Sequence, residues 1–439
     1  MLLTRDECKT LADKVIRLAQ AAEVEVRISS TQNANTRYAN NTVTTAGFTS
    51  GVSVDIEVTQ EKRTGSVSVS DLSDDALAQA VRQAEAIAAL APPDPEYVEP
   101  LGPQAYPDIR GFYDETAKAR TADIVPAVKS VVAEAEQKKV ASFGYYDISS
   151  RARALANKRG LFGYHRDTLA SYSVTARTPD ATGSGWAAQQ SPQHKQIDAA
   201  RIGGTAIRKA IESRGPQQLD PGLYTVILEP QAVADLLGFL SFSFDARAAD
   251  EGRSFLSKKG GGNLLGEKVF GENVTLWSDP FDARVPGSPW SPSGSGVPAE
   301  KMTWVEKGVV KNLIYNRYWA QKNERQPTPS PSNVLMEGGS AKLDNLIAST
   351  ERGLLVTHFW YIRFLQPQTL QLTGLTRDGL FYIEKGKVVR PVMNFRFNQS
   401  VVTMLNKVEA MTAAVPVEDS VLPALKVAEF NFSSLSDAV

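Results

Sequence analysis

Hydrophobic and polar positions follow a helical period at the start of the chain and then switch to alternation. Thr4 followed by Glu7 forms a capping-box pattern, and apolar residues then recur at helical spacing at Leu11, Val15, Ile16 and Leu18. The runs EVEVRISS, GVSVDIEV and RTGSVSVS alternate, with turn signals at Asn40–Asn41 and Glu61–Arg63. This pattern predicts a helix over residues 4–21 and then three or four antiparallel strands.

A second set of elements follows in the same order. Residues 71–90 predict a helix capped by Ser73 or Asp74, and a segment with six prolines then excludes regular structure. Helical periodicity returns at 121–137, strands flank the turn at 158–160, and 197–213 predict another helix. Both sets place an Ala-Asn turn between strands, which suggests a duplicated helix–sheet unit of the α+β class.

Strand signals dominate after the prolines Pro216 and Pro221. GLYTVILEP opens a strand, and the turns Glu306–Gly308 and Glu384–Gly386 lie inside alternating runs that predict hairpins. The run GLLVTHFWYIRF predicts one apolar strand, and one helix is expected after Pro230. The segment Gly287–Gly296, rich in serine and proline, predicts a flexible loop. We therefore predict two α+β domains, an N-terminal helix–antiparallel-sheet domain at 1–215 and a β-rich C-terminal domain at 216–439.

Charge and cysteine usage limit the classes of partner. The chain has 48 Lys and Arg against 49 Asp and Glu, so its net charge of -1 gives no reason to expect nucleic acid or an anionic membrane surface. Cys8 is the only cysteine, which rules out an internal disulfide and a cysteine-rich metal site. Charged residues among the first twenty break the apolar run that a signal peptide needs. No segment elsewhere approaches the roughly 20 apolar residues of a membrane span. We expect a cytoplasmic protein.

Several segments resemble the TldD/PmbA family of peptidases, formerly described as modulators of DNA gyrase. Their order and spacing carry the resemblance, at 36–41, 154–160, 221–230, 264–269, 333–336, 353–357 and 384–392. The resemblance implies a dimer that encloses a cavity in which an extended peptide is held and cut. It also implies, in the active member of a pair, a His-Glu-x-x-x-His motif on the helix after the first C-terminal strand, with a later cysteine completing a zinc site.

The sequence departs from that motif. The corresponding segment is 231–238, QAVADLLG, which contains no histidine, and no cysteine follows Cys8. The histidines are His165, His194 and His358, and no two have helical or hairpin spacing. The chain thus looks like the TldE/PmbA side of the family, which lacks the motif. We expect no cofactor of its own, a homodimer or a heterodimer with a zinc-bearing TldD-like subunit, and an extended peptide as ligand.

Some polar residues are candidates for peptide contacts. Arg247 and Arg253 could grip a peptide carboxylate or carbonyl, because a guanidinium presents a planar fork of donors, or they could pair within a solvated loop. Arg37 and Asn40 lie on the first hairpin, where they either contact peptide or only form the turn. The segment 258–262 favours a mobile flap rather than a phosphate-binding loop, because it lacks the Gly-Lys-Ser/Thr ending of such a loop.

Two alternatives to a metal-free peptide-binding subunit stay open. One is a hydrolase with a non-standard site, built from His358, Glu251 and Asp245, with Asp250, around a metal. His358 lies in an apolar run where packing in the core is the more common role, whereas His165 and His194 lie in polar sequence and are expected at the surface. The other alternative is a structural scaffold without a substrate.

Overall fold

The computed structural model describes residues 2–241 and 243–436 and contains two halves, each built on antiparallel sheet. The first half comprises α1 (Arg5–Leu18), β1 (Glu23–Ala39), β2 (Thr42–Gln60), β3 (Arg63–Val69), α2 (Asp74–Leu90), α3 (Asp114–Lys118), α4 (Thr121–Gln137), β4 (Ala141–Asn157), β5 (Phe162–Arg177), β6 (Ser184–Ser191) and α5 (Ala199–Glu212). The second half begins with β7 (Gly222–Leu228), α6 (Pro230–Ser241), α7 (Ala246–Asp250), β8 (Leu276–Ser278), β9 (Met302–Glu306), β10 (Val309–Val310), α8 (Arg317–Lys322), β11 (Val334–Met336) and α9 (Leu343–Ala348). It continues with β12 (Arg352–Val356), β13 (Phe359–Gln366), β14 (Gln371–Thr376), β15 (Leu380–Glu384), β16 (Lys387–Pro391), β17 (Phe395–Ser400), α10 (Val401–Asn406), β18 (Val408–Met411), β19 (Val415–Val417), β20 (Ser420–Leu422) and β21 (Leu425–Leu435).

The first half is one six-stranded antiparallel sheet with the order β3-β2-β1-β4-β5-β6. The β1–β2 hairpin turns at Asn40 and Asn41, whose φ angles of 49° and 61° are those of a type I′ turn. The succession helix, three strands, helix occurs twice, and the two copies join through β1 and β4 at the centre of the sheet. This arrangement agrees with the duplicated unit that the sequence suggests.

Helices cover one face of this sheet. Even-numbered residues of β1 and β4 point toward them, because side chains alternate along a strand. One core lies under α1 and α2, and a second lies under α4 and α5 around the buried Tyr38 and Tyr172. The opposite face carries polar side chains such as Asn33, Asp147 and Arg151, so the helix-free face of the sheet is the polar one.

The second half contains a nine-stranded and a six-stranded sheet. The nine-stranded sheet has the order β13-β14-β17-β21-β7-β12-β15-β16, with β18 beside β21, and the smaller sheet has the order β10-β9-β8-β11-β20-β19. Pairing is antiparallel except between β7 and β12 and between β11 and β20. The predicted hairpins form at β9–β10 and β15–β16. The main core contains α6 and a cluster of aromatic rings that includes Phe359, Phe397 and Phe430.

Two sequence expectations about these elements are wrong. The described part of the second half has four helices besides α6, each too short to show a hydrophobic period. The apolar run around His358 forms two strands, because β12 pairs with β7 and β15 while β13 pairs with β14. The segment 287–296 forms a loop, as the sequence predicts, and its buried Trp290 packs against Tyr106 and His165 of the first half.

Candidate functional site

The first turn of α6 lies where the resemblance implies the metal-binding motif, and hydrogen bonds join its side chains. Nε2 of Gln231 donates to Asp235 Oδ1 at 2.9 Å and to Oε1 of Glu418, in the β19–β20 turn, at 3.0 Å. Asp235 Oδ2 accepts a hydrogen bond of 2.8 Å from the backbone N–H of Phe359. Burial raises the pKa of Asp235 to about 6. Asp235 thus ties α6 to the start of β13.

His358 lies beside this turn, at the break between β12 and β13. Its ring stacks on Trp186 of β6, with centroids 4.6 Å apart and planes at 12°. Its Nδ1 lies 3.2 Å from Oδ2 of Asp378, whose other oxygen accepts from Ser184. Burial alone would raise the pKa of Asp378, but hydrogen bonds with His358 and Ser184 outweigh it and hold that pKa below its usual value. His358 therefore joins the two halves of the molecule.

A buried ion pair reinforces the same junction. Lys209 on α5 lies 2.6 Å from Glu229, the residue that precedes α6, and the two side chains are only 8% and 19% exposed. The backbone N–H of Glu229 donates to the carbonyl of Val356 at the end of β12. The polar residues around the start of α6 are therefore held by both halves. Sequence reasoning missed Trp186, Lys209 and Asp378, since only the packing of the halves brings them to this site.

The side chains at this site are not the ligands that the family's zinc motif would provide. The segment 231–238 of α6, where the resemblance places the motif, contains Gln231 and Asp235 but neither the two imidazoles nor the glutamate that the motif would supply. The Asp235 carboxylate is committed to a backbone N–H and to Gln231. Within the part of the chain that the structure describes, no group of three or more His, Cys, Asp or Glu side chains is arranged to hold a metal ion.

The charged segment 245–253 lies around α7 and forms its own network. Arg247 donates from both terminal nitrogens to Glu96 at 2.7 Å and from Nε to Glu251 at 2.9 Å. Arg253 also donates to Glu251, and hydrogen bonds from both arginines hold the pKa of Glu251 below its usual value. Arg247 therefore clamps the proline-rich segment to the second half, while Arg253 stays more than half exposed.

The alternative metal site, in which His358 would join Glu251, Asp245 and Asp250, does not form. Asp245 caps α7 through the N–H of Ala248, and Asp250 accepts from Trp319 and Asn263. His358 has none of these partners. The structure thus brings Arg247, Arg253 and Glu251 together and keeps His358 in a separate cluster.

The remaining candidates lie in the first half. Asn40 forms the β1–β2 turn, and Arg37 lines a shallow depression near this turn with Tyr145. The expectation that His165 is exposed is wrong: it is 6% exposed on β5, and burial lowers its pKa to about 4. His194 is part-buried and bonds Thr116.

Comparison with known proteins gives one family over nearly the whole chain. Sequence models described as PmbA/TldA metallopeptidase domain 1, central domain and C-terminal domain match residues 24–88, 99–214 and 221–434. Metalloprotease PmbA of Escherichia coli O157:H7 is 22% identical over 93% of this chain and 92% of its own length. Protein MJ0231 of Methanocaldococcus jannaschii is 25% identical over 52% of this chain and 50% of its own length, so the match spans half of that relative.

Two solved structures share the fold. TldE from Thermococcus kodakarensis superposes with a TM-score of 0.86 and 20% identity, covering 97% of this chain and 99% of that one. A protein from Bacteroides thetaiotaomicron, described as a modulator of DNA gyrase, gives a TM-score of 0.87 and 23% identity, covering 98% and 99%. At these identities the likeness establishes the α+β architecture.

Proposed function

The chain belongs to the PmbA/TldD metallopeptidase family, and from that premise we propose that it is a metal-free subunit of a peptidase, one that binds extended peptides while a zinc-bearing homologue cuts them. The observation that carries the proposal is the first turn of α6. Gln231 and Asp235 lie there in place of residues of the zinc motif, and both are engaged in hydrogen bonds, Gln231 to Glu418 and Asp235 to the N–H of Phe359.

Peptide binding is supported by the polar, helix-free face of the six-stranded sheet. An extended peptide exposes a carbonyl and an N–H at every residue, so a wall that offers both donors and acceptors suits it. Asn33, Asn35 and Asp147 form a hydrogen-bonded row on this face. Arg37 on the same strand, Asn40 in the β1–β2 turn and the more than half-exposed Arg253 remain candidate contacts, whereas both terminal nitrogens of Arg247 donate to Glu96. We place the protein in the cytoplasm, where a lone thiol such as the buried Cys8 stays reduced.

Dimer formation is supported by β13, the edge strand of the nine-stranded sheet. On this strand, about half of the surface of each of the apolar residues Trp360, Tyr361, Phe364 and Leu365 is exposed. An apolar edge strand is a site for pairing with another chain. The occupant that we propose is a second chain of the same fold, either another copy or the zinc-bearing homologue. If the second chain is another copy, light scattering of the pure protein should give twice the 47.7 kDa chain mass, and Phe364→Glu should shift the mass toward the monomer. If the second chain is the homologue, Phe364→Glu should weaken the binding of the two chains.

The experiment combines metal analysis with a cleavage assay. The purified protein should retain no stoichiometric zinc after gel filtration and should not cut an unfolded peptide. Adding a homologue with the intact motif should produce cleavage that a chelator stops. That cleavage should survive His358→Ala and Glu251→Ala in this chain, because the partner carries the chemistry.

Two results would contradict the proposal. Cleavage by the protein alone that Glu251→Ala or His358→Ala abolishes would instead establish a non-standard hydrolase. Failure of the pair to bind or cut any peptide would favour a structural scaffold. Helices long and apolar enough to cross a membrane are missing from the described residues.

A further inference from the structure

The strand β2 has a neighbour on both sides along only part of its length. It pairs with β1 along almost its whole length, but β3 pairs with it only from Val54 to Gln60. Residues 42–51 are exposed, except for the half-buried Gly47. We call residues 48–52 of β2 the open edge. Because an unpaired strand edge presents free main-chain donors and acceptors, it can pair with another chain.

The turn between β2 and β3 decides which main-chain groups of the open edge point away from β1. The two turn residues, 61 and 62, have φ angles of 51° and 64°, as in a type I′ turn, so Gln60 and Arg63 form a hydrogen-bonded pair. Hydrogen bonding alternates along a strand, so the main chain of every even-numbered residue of β2 from 48 to 60 faces away from β1. In the open edge these residues are Phe48, Ser50 and Val52. Within the described part of the chain, their main-chain groups have no hydrogen-bond partner, so three N–H and three C=O groups are available to a ligand.

The second helix–sheet unit fills the equivalent position with its own chain. In that unit β5 corresponds to β2, and β6 likewise pairs only with the later part of β5, from Ala170 to Arg177. Beside the earlier part of β5 runs the irregular segment that precedes α3. The N–H of Thr168 donates to the carbonyl of Gly111 in this segment, and the N–H of Tyr113 donates to the Thr168 hydroxyl. The fold thus holds a piece of chain at the edge of β5, at the position that is open beside β2.

The sequence of the open edge does not protect it against pairing. Edge strands are commonly protected by charged side chains, by proline or by a bulge. Residues 42–54, TVTTAGFTSGVSV, contain neither a charge nor a proline, and the register with β1 is regular after the bulge at residues 37–38. A Cβ added at Gly47 or Gly51 would have nothing within 4 Å, so the space above these two glycines is clear. Gly47 faces the same side as its cross-strand partner Asn35, so this clear space adjoins the polar, helix-free face.

The size of the open edge favours a short peptide as its occupant. Four steps of about 3.4 Å give the open edge a length of about 14 Å. A stable interface between two copies of this chain would bury more than about 1,000 Å² around an apolar core. Phe48 is the only large side chain of the open edge, and the guanidinium of Arg120 already lies 4.7 Å from the centroid of its ring. Backbone pairing with a peptide needs no such apolar core.

We propose that the open edge binds an extended peptide as an added strand, beside β2 and in line with β3. The proposal rests on the peptide-binding function given above and names the strand that holds the backbone of the peptide. Hydrogen bonds between main chains do not depend on the side chains of the peptide, so peptides of many sequences should bind. Every second side chain of the bound peptide would face the side of the sheet that carries Asn33, Asn35 and Asp147.

Isothermal titration calorimetry with an uncharged peptide and two N-methylated forms of it tests the proposal. The parent probe is acetyl-Ala-Thr-Ala-Thr-Ala-Thr-Ala amide. Successive N–H groups of a strand point to opposite edges, so methyl groups on the third and fifth residues block one edge and leave the other intact. Methyl groups on the fourth and fifth residues block both edges. The first form should bind within about threefold of the parent, and the second at least about tenfold more weakly, since it loses two or more hydrogen bonds.

Proline variants assign the binding to the open edge. Ser50→Pro removes the outward N–H at its centre without removing a hydrogen bond to β1, so it should weaken binding of the parent peptide at least about tenfold and leave Tm nearly unchanged. Ser66→Pro on β3 is the matched control, because Ser66 is also exposed and its N–H points away from β2 by the same alternation. Its affinity should equal that of the wild type. If Ser50→Pro fails to fold, the two methylated peptides still decide.

The two proposals fail in different ways. Equal affinity for the two methylated forms would overturn strand addition while leaving peptide binding intact. Loss of affinity in Ser66→Pro but not in Ser50→Pro would overturn the assignment to the open edge. Absence of binding by the parent peptide would overturn both proposals. A dimer that Ser50→Pro converts to a monomer would show that a second copy of this chain, rather than a peptide, occupies the open edge.

Discussion

At the scale of the residue, His165 makes the stability of the fold depend on pH. Its pKa is lowered to about 4 by burial and by Arg153, so the folded chain resists protonation that the unfolded chain accepts near its ordinary value of 6.5. The neutral ring therefore stabilises the fold at high pH, and this contribution is lost as the pH falls below about 6.5. By pH 5 the loss is about 2 kcal/mol.

The variant His165→Phe should remove this dependence, since a phenyl ring can keep the edge contact with Trp290. We expect free energies of unfolding in urea to be similar for the two proteins at pH 7.5. At pH 5 the variant should be the more stable by about 2 kcal/mol. Other titrating groups are common to both proteins, so they cancel in the difference. A difference that is the same at both pH values would show that His165 is already protonated or solvated in the fold.

At the scale of the element, Gly144 sets how closely β4 approaches the side chain of Tyr38. A Cβ at this position would lie 2.5 Å from Tyr38 ring atoms. Tyr38 cannot retreat, because its hydroxyl bonds Tyr172 at 3.0 Å and its ring is buried. Gly144→Ala should therefore lower the free energy of unfolding by about 1–3 kcal/mol, the usual effect of overpacking.

Gly47 provides the matched control for this change. It also lies in a strand, β2, but nothing lies within 4 Å of an added Cβ. Gly47→Ala should leave stability unchanged or raise it slightly by restricting the unfolded chain. Chemical denaturation of both variants measures the contrast. Equal effects at the two positions would show that the sheet can shift to make room at Tyr38.

The elements that the sequence predicts well have local signals at their boundaries. The Thr4 cap, the Asn40–Asn41 turn and the β15–β16 turn are each encoded within a few residues. The break at His358 has no such signal, because apolar residues continue through it. That break depends on which strands pair with β12 and β13, and on Asp235 accepting from the N–H of Phe359.

The candidate site was less predictable than the fold for the same reason. The departure from the zinc motif is visible in the sequence, because it concerns residues along one helix. The partners of those residues are not visible, since Trp186 and Glu418 arrive from distant parts of the chain. Arg247 illustrates the reverse case. The sequence offers it as a peptide clamp, but Glu96, from a proline-rich segment with no regular structure, accepts from both of its terminal nitrogens.

At the scale of the whole molecule, one group of the polar contacts between the two halves lies at the start of α6. Lys209 and Glu229 are the most buried of the ion pairs that cross this junction. Removing one partner of a buried pair leaves an uncompensated charge, which typically costs about 3–5 kcal/mol. Replacing both partners leaves no buried charge and avoids that penalty. The pair therefore fixes how the two halves pack together more than it raises the free energy of unfolding.

A double-mutant cycle on this pair tests whether the halves form one cooperative unit. Lys209→Met should destabilise the protein by about 3 kcal/mol, and adding Glu229→Gln should restore part of that loss because no buried charge then remains. The exposed pair Arg208 and Glu212 on the same helix is the control, and its cycle should give a coupling under about 1 kcal/mol. Denaturation followed by tryptophan fluorescence and by circular dichroism should give coincident transitions in the wild type. If Lys209→Met separates these transitions, the pair couples the halves; if it lowers neither midpoint, the junction is held by the Trp186–His358 stack and the Asp378 hydrogen bonds instead.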